Sequence, residues 1–377
     1  MQLTLALVHD VIASWIQSNK IANNGSFSPS VNEINGLVDK IAKSYTLDGD
    51  FSDPLPELDG EDLNYARTLE EYFENLVMPS DNDPTGANTL NPQMPTHMKP
   101  AYSYQQRKQT FKISRPYDVV QAAFHSEGEY VDFITLITKR LYDSFNVWKF
   151  NVKKKLLGTV ISTIVASMSA TGAATFAAAT AYNIGQRFTD ATIGKAVAVK
   201  NIKNTDLPSG KTLQDAIDEG YVVVLKLLSE IAVPVDTATG EAFILDVKKV
   251  VEKSNFPSEG NSLNGNTVGV APAGLKLYIK TGIMPDIEVN TLAGAFHRED
   301  VAIPVEIKVV DDFGDGDDDV YAVLVDPRGV KYHSDYIATR SQENAEGDFI
   351  NFFLHVTPTL AFSRNTFLHA WKKPAGN

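Results

Sequence analysis

"SEGEYVDFITLITKRLYDSFNVWKFNVKKKLLGTVISTIVASM", residues 126–168, carries the strongest helical periodicity in the chain. Val131, Ile134, Ile137, Leu141, Phe145 and Trp148 recur at three- and four-residue steps, and Leu136 and Val147 widen the stripe. Apolar residues at that spacing share one face of an α-helix. The stripe predicts a helix of roughly thirty residues, which at about 1.5 Å per residue runs most of the length of a domain. The sequence stays uncharged from Leu156 to Gln186. That length meets the criterion for a membrane span, but Ser, Thr, Gly and Ala dominate it, and close packing of small residues in a core is the better reading.

Composition sets bounds on the rest. The chain has 377 residues, 43% of them apolar and 21% charged, enough for substantial cores and unlike a disordered chain. It has no cysteine, which removes disulfides, thiol nucleophiles and cysteine-ligated metals together. The net charge is −13, unevenly spread: residues 1–100 hold fifteen acids and five bases, whereas residues 101–155 hold five acids and ten bases. So acidic a chain does not condense on nucleic acid by itself, because that binding works by neutralising phosphates. The N-terminal "MQLTLALVHDVIASWIQSNK" lacks an early positive charge and is broken by His9 and Asp10, so it reads as an amphipathic helix and not a signal peptide.

A second short helix is expected where Ser30 and Glu33 have capping-box spacing ahead of Val31, Ile34, Leu37, Val38 and Ile41. "DGDFSDPLPELDGED" (48–62), acidic and proline-punctuated, reads as a linker or exposed crossing. Residues 66–115 form two arms around a tip with Pro79, Pro84, Pro92, Pro95 and Pro100, a density that forbids helix or central strand. So long an irregular loop is uncommon unless it has a task. Nine acids against Arg67 mark the outgoing arm from Glu57 to Asp83; between Asp83 and Arg115 there are only bases, including Arg107, Lys108, Lys112 and Arg115. Met78, Met94 and Met98 sit at or near the tip, where a flexible thioether suits docking.

The second half reads as α+β. "DLPSGKTLQDAIDEGYVVVLKLLSEIA" and "TGEAFILDVKKVVEKSN" scan as helices, as does "DIEVNTLAGAF" with Asp286 as cap. "GLKLYIK", "VEIKVV", "VYAVLVD", "VKYHS", "FINFFLHVTPTLAFSR" and "FLHAW" read as strands, with antiparallel pairing expected near the C-terminus. Six aspartates and two glycines fill 311–319. An EF-hand needs glycine at position 6 and glutamate at 12. Starting at Asp315 these are Val320 and Asp326, and starting at Asp311 position 3 is Phe313, so both frames fail. The segment reads as a hairpin turn whose acids keep it hydrated and block edge pairing. Seven scattered histidines form no ligand pair, and no phosphate-cradling or nucleophile-elbow motif occurs. No catalytic, cofactor or metal site is expected.

"ARTLEEYF" (66–73), "EYVDFITLITKRLYDSFNVWKF", "VNTLAGAFHRED" (289–300), "YAVLVDPRG" and "FFLHVTPTLAFSR" together resemble, in order over about 60–372, the major head proteins of small short-tailed Salasmaviridae-type phages. The resemblance implies the Hong Kong 97 fold: an N-terminal arm (1–60), an extended β loop (61–118), a peripheral domain with a spine helix (119–184 and 286–377) and an axial domain (185–285). It implies strand structure in "TLEEYFENLV" against local helix propensity. It further implies a self-assembling icosahedral shell of pentamers and hexamers around double-stranded DNA in a virion made in the host cytoplasm, with portal and scaffolding partners, loose DNA contact and no membrane. Arg67, Glu70, Glu71, Met94, Met98, Arg107, Lys108, Lys112 and Arg115 become the candidate inter-subunit contacts. A cellular nanocompartment shell of the same fold, or a calcium-binding or hydrolytic protein built on 311–319, are the alternatives.

Overall fold

A computed structural model describes residues 51–63, 68–72, 76, 101–104, 108–116, 118, 127–169, 174–190, 193–198, 202–269, 274–287 and 303–374. The chain divides after Ser52 into two compact units, of which Asp53–Asn377 is the larger and holds every element named below. The two N-terminal helices, the proline-rich tip and the segment 289–300 lie outside the described residues.

The spine is a single helix, α1 (Glu127–Met168), of 42 residues. At 1.5 Å per residue it is about 63 Å long, longer than the apolar stripe predicts, because it serves two cores in succession. Ile137, Leu141, Phe145 and Trp148 pack on a three-stranded sheet. Leu156, Leu157, Val160, Ile161 and Ile164 enter a second core with a five-stranded sheet. The stripe therefore shifts around the helix as its partner changes.

The three-stranded sheet runs β11 (Val330–Asn344), β12 (Phe349–Phe362), β3 (Gln109–Pro116), all antiparallel. Alternation turns Phe111 and Ile113, opposite Leu354 and Phe352, toward α1. There Phe111 meets Phe145 and Trp148 edge-on, with centroids 6.2 and 5.8 Å apart.

The five-stranded sheet has the order β7 (Leu228–Glu230), β13 (Leu368–Lys372), β10 (Val320–Val325), β8 (Lys276–Lys280), β9 (Glu306–Val310). It is mixed: β10 is antiparallel to both neighbours, while β13–β7 and β8–β9 are parallel. One face of β10 meets α1 through Val320, Val323 and Val325. The other packs Tyr321, Ala322 and Leu324 against α3 (Thr237–Ser254), whose core face is Phe243, Val247, Val250 and Val251. Burial on both faces explains the unbroken apolar run in β10.

A smaller layer holds β4 (Arg187–Asp190), β5 (Gly194–Ala198) and β6 (Val222–Val224), with α2 (Leu213–Asp218) beside them and Tyr182, Phe188, Ile202 and Leu207 as its core. Here the long helix expected over 206–232 is overturned: only α2 is helical, Gly220 at φ +69° ends it, and the β-branched Val222–Val224 run takes strand pairing instead. The helix expected with Asp286 as cap already runs through 283–287, so Asp286 lies inside it. No helix among the described residues is long and apolar enough to cross a membrane.

His369 fixes β7 to β13. Its Nδ1 donates to the Lys226 carbonyl at 2.9 Å and its Nε2 accepts from Ser229 Oγ at 3.0 Å. Burial lowers its pKa from 6.5 to about 4. The unfolded chain therefore takes up a proton from 6.5 downward while the folded one does so only near 4. Stability is full above that window and falls by up to about 3 kcal/mol across it. Urea unfolding between those pH values checks this, and His369→Gln flattens that part of the profile.

Candidate assembly interface

The base of the long loop is a two-stranded ribbon. β1 (Thr68–Glu71) pairs antiparallel with β2 (Ala101–Tyr104), with Glu70 opposite Tyr102 and Glu71 opposite Ala101. Strand wins over the helix propensity of "TLEE" because a partner strand pairs with all four residues. Glu70 accepts from the Tyr72 hydroxyl. Glu71 is engaged in its own chain, accepting from Ser363 Oγ and, at 3.1 Å, from Asn365 Nδ2. Its role here is to tie the ribbon's base to the end of β12.

Lys108, Lys112 and Arg115 lie on or beside β3, which belongs to the body sheet. The returning arm of the loop is thus intramolecular from residue 109 onward. Lys108 and Lys112 project from the face opposite α1, over the rings of Tyr336 (4.8 Å) and Phe353 (5.8 Å). Arg115 is exposed near the far end of the strand. Arg67, Met94, Met98 and Arg107 lie outside the described residues.

The stretch expected as an exposed linker is instead a strap. Leu55 and Leu58 are buried in the core beneath α1. Pro56–Leu58 makes a 3-10 turn, and Gly60 N–H donates to the Tyr332 carbonyl at 2.8 Å. A Cβ on Gly60 would lie 2.2 Å from the His333 ring, so any larger residue there would have to displace that ring. Lys331 donates to the carbonyls of Glu57 and Asp59, His333 bonds the Glu61 carbonyl, and Tyr278 Oη donates to Glu57. Beneath the strap, Lys153 is 0% exposed. It bonds Asp53 and the Leu55 carbonyl and reaches Asp59 at 2.7 Å, while Lys149 meets the same Asp59 at 2.8 Å. Two shielded cations face two carboxylates, the condition under which burial of charge is tolerated.

The acidic segment 311–319 receives the next lysines of α1. It is not a hairpin, because β8 stands between β9 and β10. Phe313 is only 2% exposed, and a Cβ on Gly158 would come within 2.1 Å of its carbonyl oxygen, so the turn lies directly on the helix. Lys154 bonds Asp311 (2.7 Å) and Asp312 (3.1 Å), Lys372 bonds Asp317 (2.8 Å), and Lys280 donates to the Asp318 carbonyl. Burial alone would lower the Lys154 pKa, but its bonds to Asp311 and Asp312 outweigh that and raise it. The Gly314 amide and Lys154 hold Asp312 below the usual carboxylate range. The hairpin reading is thereby corrected, while the acids do stay in water: Asp311, Asp312, Asp315 and Asp319 remain more than half exposed, and Asp311, Asp312 and Asp317 serve in addition as counterions for a docked turn. A calcium ion there would compete with ammonium groups already in place. Among the described residues no group of three or more histidine, aspartate or glutamate side chains is arranged to hold a metal. A signal for this docking is present in the sequence, since "KKK" at 153–155 and the aspartate run carry matching charge.

A long helix crossing a hairpin-based sheet, with a two-stranded ribbon leaving one end and a layered α/β body at the other, is the architecture of Hong Kong 97-type phage capsid proteins. The capsid structure of Staphylococcus phage Andhra aligns with a TM-score of 0.55 at 9% identity, over 87% of this chain and 86% of that one. A chain in the head-fibre and inner-core structure of bacteriophage P68 aligns at 0.53 with 12% identity, over 87% and 86%. The match to the Phi29-like phage major capsid protein family spans residues 10–371, and the chain belongs to that family. The major capsid protein of Bacillus phage GA-1 is 22% identical over 339 residues, which is 88% of this chain and 58% of that relative's length.

Removing the buried Lys153 charge should leave Asp53, at the core edge, to the longer Lys149 contact at 3.6 Å. Lys153→Met is expected to cost about 3 kcal/mol or more in urea unfolding. Lys155→Met, at a position 62% exposed and 3.7 Å from Asp315, should change stability by less than about 0.5 kcal/mol.

Proposed function

We propose that this chain is the main building block of a phage head, self-assembling into pentamers and hexamers of an icosahedral shell around double-stranded DNA. The carrying observation is the family match over 10–371 joined to the spine-helix architecture. On this reading the N-terminal arm is 1–60, the extended loop 61–118, the peripheral domain 119–184 with 286–377, and the axial domain 185–285. The strap at 53–62 sits where arm and loop meet, so both leave the body from one fixed seam.

The role is structural and not enzymatic. Of the acids between Glu57 and Asp83, Glu57, Asp59, Asp62 and Glu71 are bonded to distant parts of their own chain. The loop's remaining acids and its bases, with Arg67, Glu70, Met94, Met98, Arg107, Lys108, Lys112 and Arg115 as contact residues, meet neighbouring copies. Single exposed pairs are each worth only about 0–1 kcal/mol and set register. Strength comes from apolar interfaces of roughly 2,000 Å² or more, the obligate class. Portal and scaffolding proteins complete the head in the host cytoplasm, and packaged DNA slides past an acidic wall.

Expression of the chain alone, with and without its scaffold, followed by electron microscopy tests this. Uniform closed shells are expected. A stable monomer that assembles at no salt concentration and with no scaffold overturns the reading.

A further inference from the structure

The face of the β11–β12–β3 sheet turned away from α1 is built for a partner. Register places Arg340, Phe353 and Lys112 in one row across the three strands, with Ala338, His355 and Thr110 in the next. The Phe353 and His355 rings stack at 5.8 Å with planes 9° apart. Lys112 stands over Phe353, Lys108 over Tyr336, and Arg340 donates to the Tyr336 hydroxyl at 3.3 Å. The result is three cations on an aromatic floor. Partial burial, then the charges of Lys108 and Arg340, hold His355 below its ordinary pKa, so the patch potential is felt by its own neighbour.

Lys149, Lys153, Lys154 and Lys372 each have a carboxylate partner. Among the described residues, neither Lys108 nor Lys112 has one. In a chain of net charge −13, such an exposed cationic patch stands out.

A complementary group is carried at the end of the same sheet. Glu343, Glu346 and Asp348 are exposed at the β11–β12 turn, with no lysine or arginine in ion-pair range among the described residues. The turn is well ordered by its own bonds: Asn344 Oδ1 accepts from the amides of Glu346 and Gly347, both at 3.1 Å. Asp348 adopts φ +49°. The acidic end does not serve its own patch: Glu343 lies three strand residues beyond Arg340, roughly 10 Å, and by alternation points to the opposite face, with Glu346 and Asp348 farther along the hairpin. The patch's partner must come from elsewhere.

We propose that this cationic–aromatic face receives the acidic β11–β12 turn of a second copy of the chain. The inference rests on the shell reading. Face and turn are different surfaces, so the contact is heterologous and repeats from copy to copy, closing where the rotation allows a ring. Aromatic floors raise the value of an ion pair by shielding it from water, and opposed charges fix which copy approaches and in what register.

Charge exchange in the full-length chain tests it, under conditions where the unmodified chain assembles. One variant carries Glu343→Lys, Glu346→Lys and Asp348→Lys; a second carries Lys108→Glu, Lys112→Glu and Arg340→Glu; a third carries all six. The first two are expected to lose about tenfold or more of their assembled fraction at moderate salt. The six-fold variant, and an equimolar mixture of the first two, should recover it. Thermal unfolding of the unassembled chains separates assembly defects from folding defects, and the milder Lys112→Gln with Lys108→Gln should weaken assembly in the same direction. Assembly of either three-fold variant at the unmodified level overturns the proposal. So does a loss that neither combination repairs, or a loss confined to the cationic set, which would assign the face to another acidic partner. Failure of the unmodified chain to assemble would instead contradict the shell reading.

Discussion

The structure depends on one line of sheltered charge, the lysines at positions 149, 153 and 154 of the spine helix. Placing an ammonium group beneath a protein surface is costly unless a carboxylate accompanies it. This helix places three there within two turns. Their partners come from two distant parts of the sequence, Asp53 and Asp59 on one side and Asp311 and Asp312 on the other. The helix is thereby required to hold the strap and the turn before β10 together. Leu55, Leu58 and Phe313 supply the apolar contact that makes the arrangement favourable, and the ion pairs make it specific.

That constraint organises the body around the helix. One half of the helix carries the hairpin sheet, the other half carries the layered body, and the strap at 53–62 packs against the helix beside β11. The strap is tied to β11 by Lys331, His333 and Gly60, and the ribbon's base to the end of β12 by Glu71. The basic cluster of residues 101–155 then divides by role. Lys149, Lys153 and Lys154 neutralise the chain's own acids, while Lys108 and Lys112 stay on the surface.

Much of this is legible in the sequence, for identifiable reasons. The spine helix announces itself because Ile137, Leu141, Phe145 and Trp148 face one sheet throughout. The strands from β8 to β13 are legible through β-branched and aromatic content. The 206–232 stretch reads wrongly as helix because Leu and Val runs between charged residues mimic one, and only the sheet partner of Val222–Val224 decides otherwise. The strap is hidden because proline and acid density looks like an exposed linker, whereas Leu55 and Leu58 need a tertiary partner to declare themselves. Of the candidate contacts, Lys108 and Lys112 are recognisable as exposed bases. Glu71 is not recognisable as a latch, since Ser363 and Asn365 lie almost three hundred residues away.

Native-state hydrogen exchange along the spine helix is the most direct test of this account. If the lysine line couples the two cores, amides in the 137–150 half and the 153–166 half of α1 exchange by the same global opening, and Lys153→Met splits them into two steps with the strap at 53–62 released first. Two halves that already exchange independently in the unmodified chain, or a strap that opens without regard to Lys153, would contradict it.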